Sequence, residues 1–239
     1  MSALNTPGLV LRHADYGDYD RMVTLFTPEN GRLDAIARGC RRAKSPLVNA
    51  VEPFTSGIYQ LYSRRGRLSI DQCEIKENFY PLRTDYDRLV HGAYWLRLLE
   101  ATVVPDVPAA ELFLIALKAL AHLSYSDLPP ALLTMAFELH LMAQLGFSPR
   151  MDACVRCGRP VGGDARFDAS LGGAVCLSCP SGAPRISNGA RRIIMKLPRT
   201  QFEKVPMVND RPEWPEAARL FRGYVNRRVH QEKFAPPLE

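Results

Sequence analysis

The hydrophobic period of the chain changes once, near Leu82, and that change limits the fold more than any other feature. Ahead of it lie five short runs rich in β-branched and aromatic residues: GLVLRH (8–13), RMVTLFT (21–27), RLDAIAR (32–38), FTSGIYQLY (54–62) and RLSIDQCEI (67–75). The polar turns ADYGDYD, PENG and SRRG separate them, and PENG puts Gly31 where a left-handed residue is needed. Five short strands in under 80 residues predict a small closed sheet. A barrel of the oligonucleotide-binding (OB) type fits that strand count, and other small barrels fit it too.

From Leu82 the period is about 3.6. Thr84 with Asp87 reads as a capping box that opens a helix through Leu89, Ala93, Leu96 and Leu99. The Pro-rich connector VVPDVPAAE leads to a second helix with Leu112, Ile115, Ala119, Leu120 and Leu123 on one face. A third begins after Pro129-Pro130 and stops at Gly146, ahead of Ser148-Pro149. These helices are apolar nearly all round, which predicts a bundle. Two more are expected near 188–197 and 213–231. The result is a multi-domain α+β chain: an OB-type domain over 1–80, a helical domain over 81–150 continued by 181–239, and a cysteine segment over 151–180.

That segment carries CVRC (154–157) and CLSC (176–179), a C-x2-C-x18-C-x2-C pattern. Each pair can form a tight turn whose backbone amides face the thiolates. Two such turns supply the four soft ligands of a tetrahedral zinc site, so Cys154, Cys157, Cys176 and Cys179 are the expected ligands of a structural, zinc-ribbon-like centre. Gly158 and Gly172-Gly173 supply flexible backbone beside the pairs. Redox dithiols are the weaker alternative without a thioredoxin-like context, and a catalytic zinc would need an open position. Cys73 reads as a buried small hydrophobe. Cys40, beside Arg38, Arg41 and Arg42, is either an acidified thiol or an ordinary one.

Charge is unevenly spread. The net +6 is modest, but residues 32–67 hold eight basic groups against two acidic ones, and residues 180–239 hold twelve against six. Arg38, Arg41, Arg42 and Lys44 fall within seven consecutive positions after a predicted strand, and Arg64, Arg65 and Arg67 occupy a second turn of the same domain. A solvated surface loop is the plain reading of such a run. Two basic loops at a barrel rim can instead straddle a phosphate backbone. Tyr59 and Tyr62 are equally readable as base-stacking rings or as core. The cations at Arg191-Arg192, Lys196, Arg199 and Arg227-Arg228 read mainly as solvated helix faces.

The chain shows no P-loop, no G-x-G-x-x-G and no G-x-S-x-G, its five histidines are scattered, and the acidic turn Asp15, Asp18, Asp20 lacks the pattern of a calcium loop. A binding protein without catalytic residues is expected. No cationic leader with a long apolar run opens the sequence, and its greasiest stretch, LFLIALKALAHL, is too short to span a bilayer, which predicts a cytoplasmic protein with no membrane attachment.

Taken in order, TPGLVLRHADYGDYDRMVTLFTPENGRLDAIARGCRRAKSPL, EPFTSGIYQLYSRRGRLSIDQCE, the helices over 84–146 ending in LGFSP, and then CVRCG and CLSC make the chain resemble the RecO family of bacterial recombination mediators and DNA repair proteins. The resemblance covers about residues 6–180. It implies binding of single- and double-stranded DNA, annealing of complementary strands, contacts with RecR and with the tail of single-stranded DNA-binding protein (SSB), and, in the RecF pathway, help in loading RecA onto SSB-coated strands. It makes Arg38, Arg41, Arg42 and Lys44 DNA-contacting positions, with Arg64, Arg65 and Arg67 in support, and any zinc structural. Where many members have Glu after the Tyr-Gly turn, this chain has Asp18. A different reading remains: a zinc-ribbon and OB protein that binds RNA or docks on a ribosome.

Overall fold

The structure, a computed structural model, describes residues 3–64, 66–229 and 235–236. Its first five strands are β1 (Ala3–Tyr16), β2 (Asp20–Thr27), β3 (Gly31–Ala37), β4 (Ser56–Arg64) and β5 (Arg67–Glu77). They close into a barrel in the order β1-β2-β3-β5-β4. β1 makes the closure possible because it serves two partners: residues 3–9 pair with β4 and residues 9–16 with β2, with a register shift between Val10 and Arg12 where the strand bends. β3 and β5 run parallel, and the other rungs are antiparallel. Of the small barrels that the strand count allowed, this order is the OB type.

Strand alternation fills the interior. Val10, Val23, Leu25, Ala35, Ala37, Tyr59, Leu61 and Ile70 are buried together. Part of the outer face is covered as well, because Phe26 meets Phe113 edge-on with ring centroids 5.3 Å apart. One end is closed by the connection between β3 and β4. Here the N–H groups of Arg42, Ser45, Val48, Ala50, Glu52 and Thr55 each donate to the carbonyl three residues earlier, giving a run of tight turns. Cys40, Leu47, Ala50 and Val51 hang from that run into the core. The turn before β3 is fixed by Gly31, whose φ of 60° suits glycine. A Cβ there would sit 2.1 Å from the Val104 carbonyl oxygen, so only glycine lets residues 104–107 lie against this turn.

The helices are α1 (Tyr86–Thr102), α2 (Ala110–Tyr125), α3 (Pro130–Gln144), α4 (Asn188–Lys196), a short α5 (Pro206–Asn209) and α6 (Trp214–Val229). The cap of α1 differs from the expected one. A 3-10 turn over Tyr80–Arg83 engages Thr84, whose hydroxyl donates to the Pro81 carbonyl, and extended Asp85 takes the N-cap by accepting from the Arg88 N–H at 3.1 Å.

The chain forms two compact units, residues 1–117 and 118–239. In the second, α3 is buried from Ala131 to Met142 and packs against α6. The pair is pinned by Glu138 and Arg222, fully or almost fully buried and 2.6 Å apart. A three-stranded sheet, β6 (Ala165–Asp168), β7 (Gly173–Val175) and β8 (Arg185–Ile186), in the order β7-β6-β8, rests Phe167 near Tyr224 of α6 at 5.9 Å between centroids. Among the described residues no helix is long and apolar enough to cross a membrane.

Candidate nucleic-acid interface and metal centre

The basic run leaves the end of β3, so its backbone is anchored on one side by the barrel and on the other by the apolar plug below. Arg38, Arg41, Arg42 and Lys44 are all exposed, while Cys40 between them is buried. The β1–β2 turn lies alongside. The Arg41 N–H donates to the Tyr19 carbonyl (3.0 Å), and its guanidinium reaches the Gly17 carbonyl (3.4 Å) and the Asp15 carboxylate (3.3 Å). Asp20 accepts from the Gly39 N–H at 2.7 Å, and Arg42 stands over the Tyr19 ring, 5.1 Å from its centroid. Asp15 and Asp20 of the acidic turn therefore serve arginines and a backbone amide. Burial raises the Cys40 thiol above its ordinary range and outweighs the pull of Arg21, which settles that sulfur as a core atom.

The second cationic turn joins β4 to β5. Arg67 is exposed there; Arg65 and the side chain of Arg64 lie outside the described residues. The two tyrosines considered for stacking divide. Tyr59 is fully buried and its hydroxyl donates to the Ala50 carbonyl at 2.7 Å, so it holds the plug to the barrel; Tyr62 is half-buried. Two exposed rings that the sequence reading passed over, Tyr16 and Tyr19, flank the β1–β2 turn. The available signal was the pattern itself, since aromatics inside a polar turn have no core to fill. Cys73 is half-buried against the barrel core, and desolvation pushes its thiol up to about 11.

In the second unit the four cysteines converge, their Sγ atoms all within 4.8 Å of one another. Cys154 lies 4.0 Å from Cys179, and Cys157 lies 3.8 Å from Cys176. A tetrahedral centre with metal–sulfur bonds near 2.3 Å puts its sulfurs about 3.8 Å apart, so four thiolates here can hold a metal ion. The backbone explains the convergence. Gly158, at a φ of 74°, closes the first turn by donating to the Cys154 carbonyl (2.9 Å), and Val155 donates to Ala174 on β7 (2.8 Å), tying the first pair to the strand that leads into the second. Gly173 is needed in that strand because a Cβ would meet the Arg150 carbonyl oxygen at 2.3 Å. The electrostatics fit a cation. Burial opposes ionisation of Cys154, yet the backbone amides of Cys176, Cys157 and Arg156 hold its thiol down to about 6, and Arg159 lowers that of Cys157. Cys179, facing Cys176 and Cys157, is pushed up to about 12. Four sulfurs this close cannot all be thiolates without a positive centre to share.

The remaining groups have structural partners. His140 places one ring nitrogen 2.8 Å from the Ala136 carbonyl and the other 2.9 Å from that of Thr200. Arg191, read from sequence as part of a solvated face, is buried and bonds to the carbonyls of Met151 and Gly163 and to the Asn188 side chain. Elsewhere in this unit, a cavity of about 660 Å³ is lined by four cations and two carboxylates around Ile193, Leu197, Met207 and Val208.

Comparison with known proteins agrees with this architecture. The family described as recombination protein O N terminal matches residues 1–79, and that described as recombination protein O C terminal matches residues 83–234. The DNA repair protein RecO of Anaeromyxobacter sp. (strain K) is 38% identical over 93% of this chain and 88% of its own length. That of Symbiobacterium thermophilum is 33% identical over 100% of this chain and 98% of its own, and that of Myxococcus xanthus 36% identical over 75% and 73%. With family models matching residues 1–79 and 83–234 and relatives 33–38% identical over most of the chain, the chain belongs to the recombination protein O family of DNA repair and recombination proteins.

Proposed function

We propose that this protein is a non-catalytic mediator that binds single- and double-stranded DNA through its barrel and anneals complementary strands. The observation that carries the reading is the exposed cluster of Arg38, Arg41, Arg42 and Lys44, held in place by a buried plug on an OB barrel. Rigid cations bind phosphates at lower entropic cost than a free arm would. Exposed Arg67, with its sequence neighbours Arg64 and Arg65, is assigned to the same track. Cations that neutralise two strands at once lower the repulsion that slows annealing.

The helical unit offers a place for a partner. Its 660 Å³ cavity, with Arg192, Lys196 and Lys204 around Ile193, Leu197 and Met207, suits an acidic peptide with an apolar end, the chemistry of the tail of single-stranded DNA-binding protein. Docking that tail while the barrel holds the strand draws the coat aside and, with RecR and RecF, opens the strand to RecA. The four cysteines hold a structural zinc that orders residues 150–186 and takes no part in chemistry, because all four positions are filled. The site of action is the cytoplasm, where the DNA is.

The test is annealing of complementary strands coated with single-stranded DNA-binding protein, with and without this protein, across a salt series. Acceleration that fades as salt rises is expected. An unchanged rate with the fold and metal intact, or tighter binding to structured RNA than to single-stranded DNA, would leave the RNA-binding alternative as the better account.

A further inference from the structure

The outer face of the barrel carries a cavity of about 400 Å³ between the β1–β2 and β4–β5 turns. Because Val23, Ala35 and Ala37 point inward, their neighbours Met22, Asp34 and Ile36 point out. Met22 and Ile36 are paired in register and make an apolar floor; Tyr16, at the end of β1, and Arg67 and Leu68, at the start of β5, stand around it. Tyr16 is 47% exposed, a ring free to stack. One carboxylate looks into this apolar place. The Thr24 hydroxyl donates to Asp34 Oδ1 at 2.6 Å, which tethers that oxygen and leaves Oδ2 without a hydrogen-bond partner among the described residues.

A flat ring stacked between a tyrosine and an apolar floor suits any base. The carboxylate does not. It only accepts hydrogen bonds, so it selects a ring edge with adjacent donors and no acceptor facing it. Thymine flanks its one N–H with two carbonyls, and cytosine and adenine each set a ring-nitrogen acceptor beside their amino group. Guanine alone presents N1–H and the 2-amino group side by side. The geometry points to a seat for one unpaired guanine, with its ring on Tyr16, its Watson–Crick edge on Asp34 and a flanking phosphate on Arg67. The inference rests on the barrel as the DNA-binding face and adds a base preference to it. It also gives annealing a direction: in a duplex both donors already bond to cytosine, so pairing empties the seat and the product strand is released there.

The experiment compares three fluorescent single strands by anisotropy, using the full-length protein: all thymine, thymine with one central guanine, and the same strand with hypoxanthine, which lacks the 2-amino group. Guanine should bind roughly tenfold tighter than all thymine, with hypoxanthine between, as one bidentate contact would give. Asp34→Asn keeps an oxygen for the Thr24 hydroxyl and so should keep the fold, checked by its melting temperature. It should abolish the guanine preference while all-thymine binding is kept or strengthened. Equal affinity for the three strands, or a guanine preference that survives Asp34→Asn, overturns the seat while leaving DNA binding intact. Failure of every strand to bind in a salt-sensitive way overturns the DNA-binding reading itself.

Discussion

Two stretches of this protein have little regular structure and are nonetheless well defined, and they are held by opposite means. Residues 38–55 are a run of tight turns whose apolar side chains, Leu47, Ala50 and Val51, sink into the barrel core. Residues 150–186 hold short strands and two sulfur-bearing turns whose four thiols meet within 4.8 Å. The first is secured by burial and backbone bonds spread over several residues, so it weakens by degrees as they are removed one at a time. The second gathers around one centre, four thiols placed so that they can hold a single metal ion. The same contrast separates their chemistry: the barrel turns present fixed cations outward, whereas the cysteine turns bring four ionisable thiols together.

The sharpest way to break the comparison is to disable the four-cysteine centre. Structural zinc binding contributes on the order of 10 kcal/mol at neutral pH in small folded modules. Chelation, or Cys154→Ser with Cys176→Ser, should therefore strip hydrogen-exchange protection from residues 150–186 and leave protection in β1–β5 unchanged. Protection that persists across the cysteine segment after metal removal, verified by elemental analysis, would mean that β6, β7 and β8 hold it without the ion.

A smaller loss is expected from the plug. Leu47→Ala leaves a cavity in a buried cluster and should cost about 2–5 kcal/mol of stability in the barrel unit, read by urea denaturation. An effect below about 1 kcal/mol would show that the turns are fixed by their backbone bonds and not by burial.

These two regions were legible in the sequence to different degrees, for physical reasons. The cysteine centre was readable because ligand spacing is local and tetrahedral sulfur chemistry admits few partners. The five strands were readable from their period, but β1 begins at Ala3, ahead of the expected Gly8, because its early residues, Leu-Asn-Thr-Pro, follow no apolar alternation and are strands only through pairing with β4. The plug was passed over: Leu47, Ala50 and Val51 stand at i, i+3 and i+4, a helical spacing, but the run is short and bounded by Pro46 and Pro53, and its burial depends on a barrel end that forms from distant residues. Arg191 was misread for the same reason, since only the fold places the carbonyls of Met151 and Gly163 around it. A buried apolar residue is suggested by its own chemistry; a buried arginine is explained only by its neighbours.

The cations themselves should cost the fold almost nothing. Exposed charges contribute little to stability, so Arg41→Glu with Arg42→Glu should shift it by less than about 1 kcal/mol. The same change should weaken single-stranded DNA binding by about tenfold or more at low salt. It should also flatten the slope of log affinity against log salt by about 1.4, the counterions of two phosphate contacts. Unchanged affinity and slope in a folded double variant would remove this turn from the DNA-binding track.

The smallest effect follows from what Arg41 does when no DNA is present. Its guanidinium lies 3.3 Å from Asp15, whose side chain is 56% exposed, and the same carboxylate is 3.3 Å from Arg21. A phosphate must compete with that carboxylate for Arg41. Asp15→Asn removes the competitor while keeping an oxygen that still accepts from Arg21, so the fold is preserved and one cation is freed. An exposed pair of this kind amounts to at most about 1 kcal/mol. The gain in DNA affinity should therefore be about two- to fourfold, largest at low salt and vanishing as screening shortens the reach of the charge. Combined with Arg41→Glu the substitution should lose most of its effect, because the two changes act on the same pair. If Asp15→Asn strengthens binding equally in the presence and absence of Arg41, the carboxylate acts by repelling the strand directly, and the pair is incidental.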